Sequence, residues 1–166
     1  FSKFISFGDM VDIDFNEAIE YLNKDRETKT ILLYIETLKE GRKFMEIVRK
    51  SKKPIIIVKA GKTEQGAVAV HSHTGSLAGT YEIYKAACKQ AGAIFAENLT
   101  EALDLVKFLQ MQPKPKSKKA IVITNAGGPG ALLTDSLIEN KIELVKIPQA
   151  IKFNLPIGTS IKNPID

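Results

Sequence analysis

A histidine beside a run of small hydroxyl and glycine residues is the best candidate for a reacting group in this chain. His73 stands in Ser72-His73-Thr74-Gly75-Ser76-Leu77-Ala78-Gly79, downstream of the apolar, strand-like run from Pro54 to Ala60. The glycine-punctuated sequence around it predicts a loop, and loops at the carboxyl ends of α/β strands commonly bind ligands. A neutral imidazole can attack phosphorus when an acceptor holds its second nitrogen. A lone histidine in a loop is more often only a polar residue, so the surrounding sequence has to decide.

Glu36 is the candidate acceptor for that second imidazole nitrogen. It follows the apolar run from Thr30 to Ile35, so it should project from the same sheet edge as His73. A glutamate at a strand end is equally well explained as a solvated side chain, and the residues alone leave both interpretations open. Thr74 and Ser76 add hydroxyl donors beside the histidine, and Gly75 lies between them.

The strand-to-helix turn from Thr124 to Gly130 is a second candidate site, in this case for an anion. Its glycines let the backbone approach a ligand closely, and the helix that follows offers unpaired N–H groups and a positive dipole end. Phosphate or carboxylate would fit there, although tight turns of this kind also use glycine for purely steric reasons. The candidate residues are Asn125, Ala126, Gly127, Gly128 and Gly130.

Composition excludes several other classes of function. The 166 residues are 44% hydrophobic and 26% charged, as in ordinary globular domains, and no apolar run approaches the ~20 residues of a membrane span. Four lysines of the +5 net charge crowd into residues 114–119 without aromatic neighbours, which indicates a solvated linker rather than a nucleic-acid surface.

His71 and His73 have no nearby Cys or Asp and do not make a metal site. The single cysteine, Cys88, falls on an apolar helix stripe and favours a reducing, cytoplasmic compartment.

Strand and helix patterns alternate along the chain and predict βαβ units with parallel sheets. Asp14 and Glu17 have the spacing of a capping box at a helix start. The segment from Met111 to Lys119 carries no periodicity and predicts a domain boundary. Strands are predicted at 3–7, 30–35, 55–58, 93–96, 120–124 and 142–145, and helices after Asp14, at 41–50, 80–91 and 100–110, and after Gly130.

Together these segments resemble the NDP-forming acyl-CoA synthetases, the group that includes ADP-forming acetyl-CoA synthetase and is related to succinyl-CoA synthetase. The resemblance covers essentially the whole chain, and Ser72 to Gly79 after a Lys-Ala-Gly strand end is its most specific part. The matching stretches are Phe4 to Gly8, Ile31 to Glu36, Lys59 to Ala67, Ser72 to Gly79, Ala87, Lys89 to Gly92, Thr124 to Gly130 and Asn163 to Asp166.

The resemblance implies an α/β fold of two flavodoxin-like units with parallel sheets, both incomplete. Residues 1–111 would be the phosphohistidine-bearing ligase domain without its first strand and helix. Residues 112–119 would be a linker, and 120–166 the start of a second such domain. The family's CoA-binding Rossmann domain and its ATP-grasp (β-type) module, supplied in cis or in trans, would be partners. A fragment without them should not turn over.

The activity implied by the resemblance is that of an acid–thiol ligase, which interconverts acyl-CoA, ADP and phosphate with free acid, CoA and ATP. His73 matches the phosphorylated histidine and Glu36 the carboxylate that holds it, with the turn at Asn125 to Gly130 steadying the phosphoryl group. The full enzyme would use CoA, ADP or ATP and Mg²⁺, none of them bound tightly by this fragment. The alternative is a non-catalytic, ligand-sensing synthetase-like module of a protein lysine acetyltransferase. The intact Ser72-His73-Thr74 and Glu36 favour the catalytic form.

Overall fold

The computed structural model describes residues 1–74, 80–113, 115–148, 150, 156, 158–160 and 162–166, and of His73 and Thr74 it describes the backbone. The chain divides into two compact units, Phe1–Pro113 and Lys114–Asp166, each of which is described below by itself. This division falls within the segment 112–119. The family's domain boundaries along the chain, 1–111 and 120–166, stay a prediction.

The first unit is a three-stranded parallel sheet covered by helices on both faces. Strand β2 lies in the middle and pairs with β1 in the register Ile31↔Ile55 to Ile35↔Lys59, and with β3 in the register Ile56↔Ile94 to Val58↔Ala96. The elements are α1 (Phe15–Lys24), β1 (Ile31–Ile35), α2 (Gly41–Lys50), β2 (Ile55–Lys59), α3 (Glu64–Thr74), α4 (Tyr81–Gln90), β3 (Ile94–Ala96) and α5 (Leu99–Met111).

Every residue of β2 is buried because both faces of the sheet are covered. Alternate residues point to opposite faces, so Ile55 and Ile57 pack with residues of α1, α2 and α4, whereas Ile56 and Val58 pack against α5. Cys88 belongs to the first of these clusters, and burial raises the pKa of its thiol to about 11. The prediction that Cys88 is a core residue is therefore confirmed.

Helix α1 begins with the predicted capping box. The Asp14 carboxylate accepts a hydrogen bond from the Asn16 N–H at 2.6 Å, and the Asp14 N–H donates to the Glu17 carboxylate at 3.1 Å. Both bonds satisfy N–H groups that no preceding helical turn can reach. The helix starts at Phe15 because its first turn is closed in this way.

The predicted strand at residues 3–7 is wrong, since this segment has no regular secondary structure. Alternating apolar residues form a strand only beside a neighbour that pairs with their backbone, and no described segment pairs with this one. The segment still contributes to packing, because the rings of Phe7 and Phe15 meet edge to face with centroids 5.2 Å apart. Phe7 is therefore packed without a ladder, whereas Phe4 and Ile5 in the same segment are exposed.

The second unit contains a short parallel pair of strands, β4 (Lys119–Ala120) and β5 (Glu143–Leu144), with helix α6 (Gly127–Glu139) between them in sequence. Both strands are shorter than the predicted 120–124 and 142–145. Beyond Ala120 the ladder is replaced by the amide of Asn163, which donates to the carbonyls of Ala120 and Val145 and accepts from the Val122 N–H. A single parallel bridge then joins Ile123 to Ile165.

The predicted fold class is confirmed: both units alternate strands with helices, and every described strand pair is parallel. None of the helices that the structure describes is long and apolar enough to cross a membrane.

Candidate active site

Charged residues collect at the carboxyl edge of the sheet in the first unit. Glu36 follows β1 directly and is half-buried, Lys59 is the last residue of β2, and Glu97 follows β3. Parallel strands with right-handed crossovers bring these ends to one edge, where α/β proteins bind their ligands. Glu36 therefore lies at the edge where the sequence places it, and its contact with His73 stays a prediction.

His73 lies in the last turn of helix α3, so the predicted loop is wrong over Glu64–Thr74. The residues from Ala67 to Val70 are compatible with a helix, and the side chain of Val70 is buried. His71 is exposed on the same helix. Gly75 and Ser76, together with the side chains of His73 and Thr74, lie outside the described residues.

Gly61 fixes where α3 starts relative to β2. Its φ of +78° is a conformation that glycine adopts without strain, and a Cβ at this position would lie 3.3 Å from the Cα of Ala67 and 3.5 Å from a methyl group of Val70. The turn after β2 therefore packs its backbone directly on α3. The helix that carries His73 is positioned by this close approach.

Lys59 is a buried lysine, 5% exposed, at the end of β2. Its Nζ donates a hydrogen bond to the Ala60 carbonyl and lies 4.9 Å from the centre of the Tyr84 ring. Burial lowers the pKa of Lys59, and the negative charge of Glu36 acts in the opposite direction. The sequence analysis missed this residue because an apolar strand that ends in lysine gives no sign of where the ammonium group lies.

Glu97 joins three side chains from two other elements. Its carboxylate binds the Lys62 ammonium at 2.7 Å, contacts Lys85, and accepts from the Tyr81 hydroxyl at 3.3 Å. The hydrogen bonds from Lys62 and then Lys85 lower the pKa of Glu97 to about 2. The sequence analysis missed this cluster too, although Glu97 follows its strand just as Glu36 does.

In the second unit, the predicted turn leads into α6 at Gly127. The Thr124 hydroxyl accepts from the Ala126 N–H at 3.0 Å, so the turn is already closed before the helix begins. Gly127 and Gly128 are the first helical residues, whose N–H groups no earlier turn can satisfy. The Asp166 carboxylate lies nearby, 3.2 Å from where a Gly127 Cβ would be, and would compete with an anion bound there.

Gly130 is required for packing rather than for binding an anion. Its N–H donates to the Ala126 carbonyl within the helix, and a Cβ would lie 2.9 Å from the Thr124 methyl group. The residue is required by packing. This leaves Gly127 and Gly128, rather than Gly130, as the donors suited to a phosphate.

The candidate residues around His73 and those around Gly127 belong to different units, so their convergence on one site stays a prediction. Among the described residues, no group of three or more His, Cys, Asp or Glu side chains could hold a metal ion.

The parallel sheet with helices on both faces defines an α/β domain whose carboxyl edge carries charged side chains. The family model of the succinyl-CoA ligase like flavodoxin domain matches residues 1–109, and the chain belongs to this family.

Particular relatives extend the similarity over the whole chain. The chain is 44% identical over its full length to the alpha subunit of acetate–CoA ligase [ADP-forming] II of Pyrococcus furiosus, and covers 37% of that subunit. It is 33% identical to 4-hydroxybutyrate–CoA ligase [ADP-forming] of Nitrosopumilus maritimus and covers 25% of it. A solved structure of the dinucleotide forming acetyl-coenzyme A synthetase 1 of Ca. Korarchaeum cryptofilum, in complex with phosphate and ADP, matches with a TM-score of 0.87 and 40% identity over 98% of this chain and 37% of that one. The chain thus spans about a third or less of these relatives.

Proposed function

We propose that this chain is the phosphoryl-carrying part of an ADP-forming acyl-CoA synthetase. The observation that carries the proposal is the order of the elements: Glu36 follows β1, and α3, whose last turn includes His73, follows the adjacent strand β2 through the close turn at Gly61. The similarity to ADP-forming acid–CoA ligases over the full chain supports it.

The proposed reaction starts when phosphate displaces CoA from an acyl thioester to give an acyl phosphate. One ring nitrogen of His73 attacks its phosphorus; the new P–N bond forms as the P–O bond to the acyl group breaks, and the free acid leaves. The second ring nitrogen keeps its proton and donates it in a hydrogen bond to Glu36, which fixes the tautomer. The phosphoryl group then passes to ADP, which gives ATP and restores the neutral imidazole.

Two sets of donors are proposed to hold the phosphoryl group. Thr74, Gly75 and Ser76 would act next to the histidine, and the start of α6 would contribute its N–H groups and positive end. In that second set Gly127 and Gly128 supply the donors, whereas Asn125, Ala126 and Gly130 shape the turn.

The remaining parts of the enzyme would come from outside this chain. CoA would bind a Rossmann domain, and ADP with Mg²⁺ would bind an ATP-grasp module, in cis or in trans, because the chain spans 37% of the Pyrococcus subunit. The relatives act on acetate and on 4-hydroxybutyrate, so the acid is chosen by parts of the pocket that differ among them. We place the enzyme in the cytoplasm, in acetate or related acid metabolism.

Phosphate labelling tests the proposal. The intact parent protein with its ATP-grasp module is incubated with magnesium and γ-labelled ATP, and the label is mapped by mass spectrometry. We expect an acid-labile, alkali-stable phosphate on His73 that returns to ATP when ADP is added. His73→Asn should abolish it, and His71→Asn, a matched change on the same helix, should leave it intact.

Absence of label on His73 in a folded, complete assembly would overturn the proposal. It would favour the ligand-sensing synthetase-like module of a protein lysine acetyltransferase. Label that stays in His73→Asn would show that another residue carries the phosphate.

A further inference from the structure

Lys59 has a charge in a place where charges are costly. It is 5% exposed, and a buried ammonium group without compensation destabilises a protein by several kcal/mol. Its hydrogen bond to the Ala60 carbonyl and its position 4.9 Å from the centre of the Tyr84 ring offset part of that cost. A neutral side chain of similar length would fit this site without the cost, so packing alone gives no reason for a charge here.

Lys59 and Tyr84 are also close to Glu36 along the sheet edge. Lys59 pairs with Ile35 on the adjacent strand β1, and Glu36 is the next residue after Ile35. The negative charge of Glu36 acts on Lys59. Tyr84, whose ring lies beside the ammonium, also accepts a hydrogen bond from the Leu38 N–H at 3.2 Å, two residues beyond Glu36. Lys59 therefore pairs with the residue before Glu36, and Tyr84 binds the backbone two residues after it.

We propose that Lys59 is a positioning residue for phosphoryl transfer, whose positive charge holds the Glu36 carboxylate in place to orient the imidazole. The inference rests on the proposed function. A carboxylate that must orient a histidine at a half-buried sheet edge benefits from a positive charge on the adjacent strand, because charges interact more strongly where water is displaced. Lys59 acts through Glu36 and does not touch the phosphoryl group.

Lys59→Met in the complete enzyme separates this role from a structural one. The variant keeps the length and removes the charge. It relieves the cost of burying an ammonium group but also takes a counter-charge from the half-buried Glu36, so we expect only a small net change in thermal stability. The rate of His73 phosphorylation should fall by about 10-fold or more, as is typical when a partner behind a catalytic group is lost. Lys59→Arg, which keeps the charge and can stack on Tyr84, should retain most of the rate.

Lys53→Met is the matched control. Lys53 is another partly buried lysine bonded to carbonyls, of Leu22 and Asp25, at the opposite end of the same strand. It should lose stability while the phosphorylation rate of the folded enzyme stays that of the wild type. The proposal would be overturned if Lys59→Met and Lys53→Met both lowered the phosphorylation rate only in proportion to the loss of folded protein.

A double-mutant cycle with Glu36→Gln gives the decisive outcome. If Lys59 acts through Glu36, adding Lys59→Met to Glu36→Gln should lower the rate no further. An equal fall in both backgrounds would show that Lys59 acts elsewhere. A wild-type enzyme that takes up no phosphate on His73 would overturn the proposed function itself. A wild type that labels, together with a Lys59→Met variant of equal rate, would overturn only the role of Lys59.

Discussion

Single residues at the carboxyl edge decide where the candidate site can form, and Gly61 is the one whose backbone does so most directly. We expect Gly61→Ala to lower the free energy of unfolding of the Phe1–Pro113 unit by about 2–3 kcal/mol. A side chain at φ +78° is strained by about 1–2 kcal/mol, and its Cβ would press on the backbone of Ala67 at 3.3 Å. Hydrogen exchange of the β2 amides in the whole chain measures the change.

Alanine substitutions at two other glycines separate the backbone strain expected at Gly61 from the steric contact of the added Cβ. Gly92 has a φ of +89° and no atom within 4 Å of an added Cβ, so Gly92→Ala should cost about 1 kcal/mol from strain alone. Gly8 has neither feature, and alanine there should leave stability unchanged or raise it by up to about 1 kcal/mol. Equal losses at Gly61 and Gly92 would show that the contact with α3 is unimportant.

For single residues, the sequence predicts which side chains lie at the carboxyl edge of the sheet better than it predicts the partners that they contact. Glu36 could be placed because a residue after a buried strand must lie at the carboxyl edge. Lys59 and Glu97 could not, because the direction of a long side chain depends on partners distant in sequence, Tyr84 for the first and Lys62 with Lys85 for the second. The capping box at Asp14 was predictable because both partners lie within one helical turn.

Secondary-structure elements were predicted well where their neighbours are contained in the same sequence. Strand β2, a continuous apolar run between two partners, has nearly the predicted bounds. Residues 3–7 have an equally strand-like pattern and form no strand, because pairing depends on a second segment. The sequence predicts a loop where α3 forms because Gly66 and a polar surface mask the helical periodicity. The position of α3 depends on the close approach of Gly61.

Asn163 takes the place of ladder bonds between the short strands of the second unit. We expect Asn163→Ala to destabilise this unit by about 2–4 kcal/mol, because three hydrogen bonds of about 1 kcal/mol each are lost and the partner groups of Ala120, Val122 and Val145 remain partly buried. Exchange of the Ile165 amide, which donates to the Val122 carbonyl, reports the change.

Asn140→Ala provides the comparison for that prediction. The Asn140 amide makes one exposed hydrogen bond to the Ser136 carbonyl at 2.8 Å, so its loss should cost about 1 kcal/mol or less. An Asn163 variant no less stable than the Asn140 variant would mean that the backbone of these strands holds without the amide.

At the scale of the whole molecule, paired carboxylates set the response to acid. Bonds from Thr28 and then Lys3 lower the pKa of Asp25 to about 2 from the usual 3.8, and Lys62 and Lys85 lower that of Glu97 to about 2 from 4.5. Within the capping box the pKa values move in opposite directions: burial raises that of Asp14, and hydrogen bonds with Asp14 lower that of Glu17. Since a lowered pKa in the folded state means that the unfolded state binds protons more readily, Asp25 and Glu97 stabilise the fold fully above about pH 4.5 and lose that effect as the pH falls towards 2.

We therefore expect the double variant Asp25→Asn, Glu97→Gln to lose less unfolding free energy than the wild type as the pH falls. Its unfolding free energy should be lower than that of the wild type at pH 7 and should approach it near pH 2, because the lost interactions are absent from both proteins once the carboxylates are protonated. Urea unfolding at intervals from pH 7 to 2 measures the limb, and replacing two exposed carboxylates, Asp12 and Glu46, by their amides controls for net charge. A constant difference across this range would show that the two carboxylates act through packing rather than charge. The expected convergence would show that the ion pairs at Asp25 and at the candidate edge are held by ionised groups throughout the neutral range in which phosphoryl transfer is proposed.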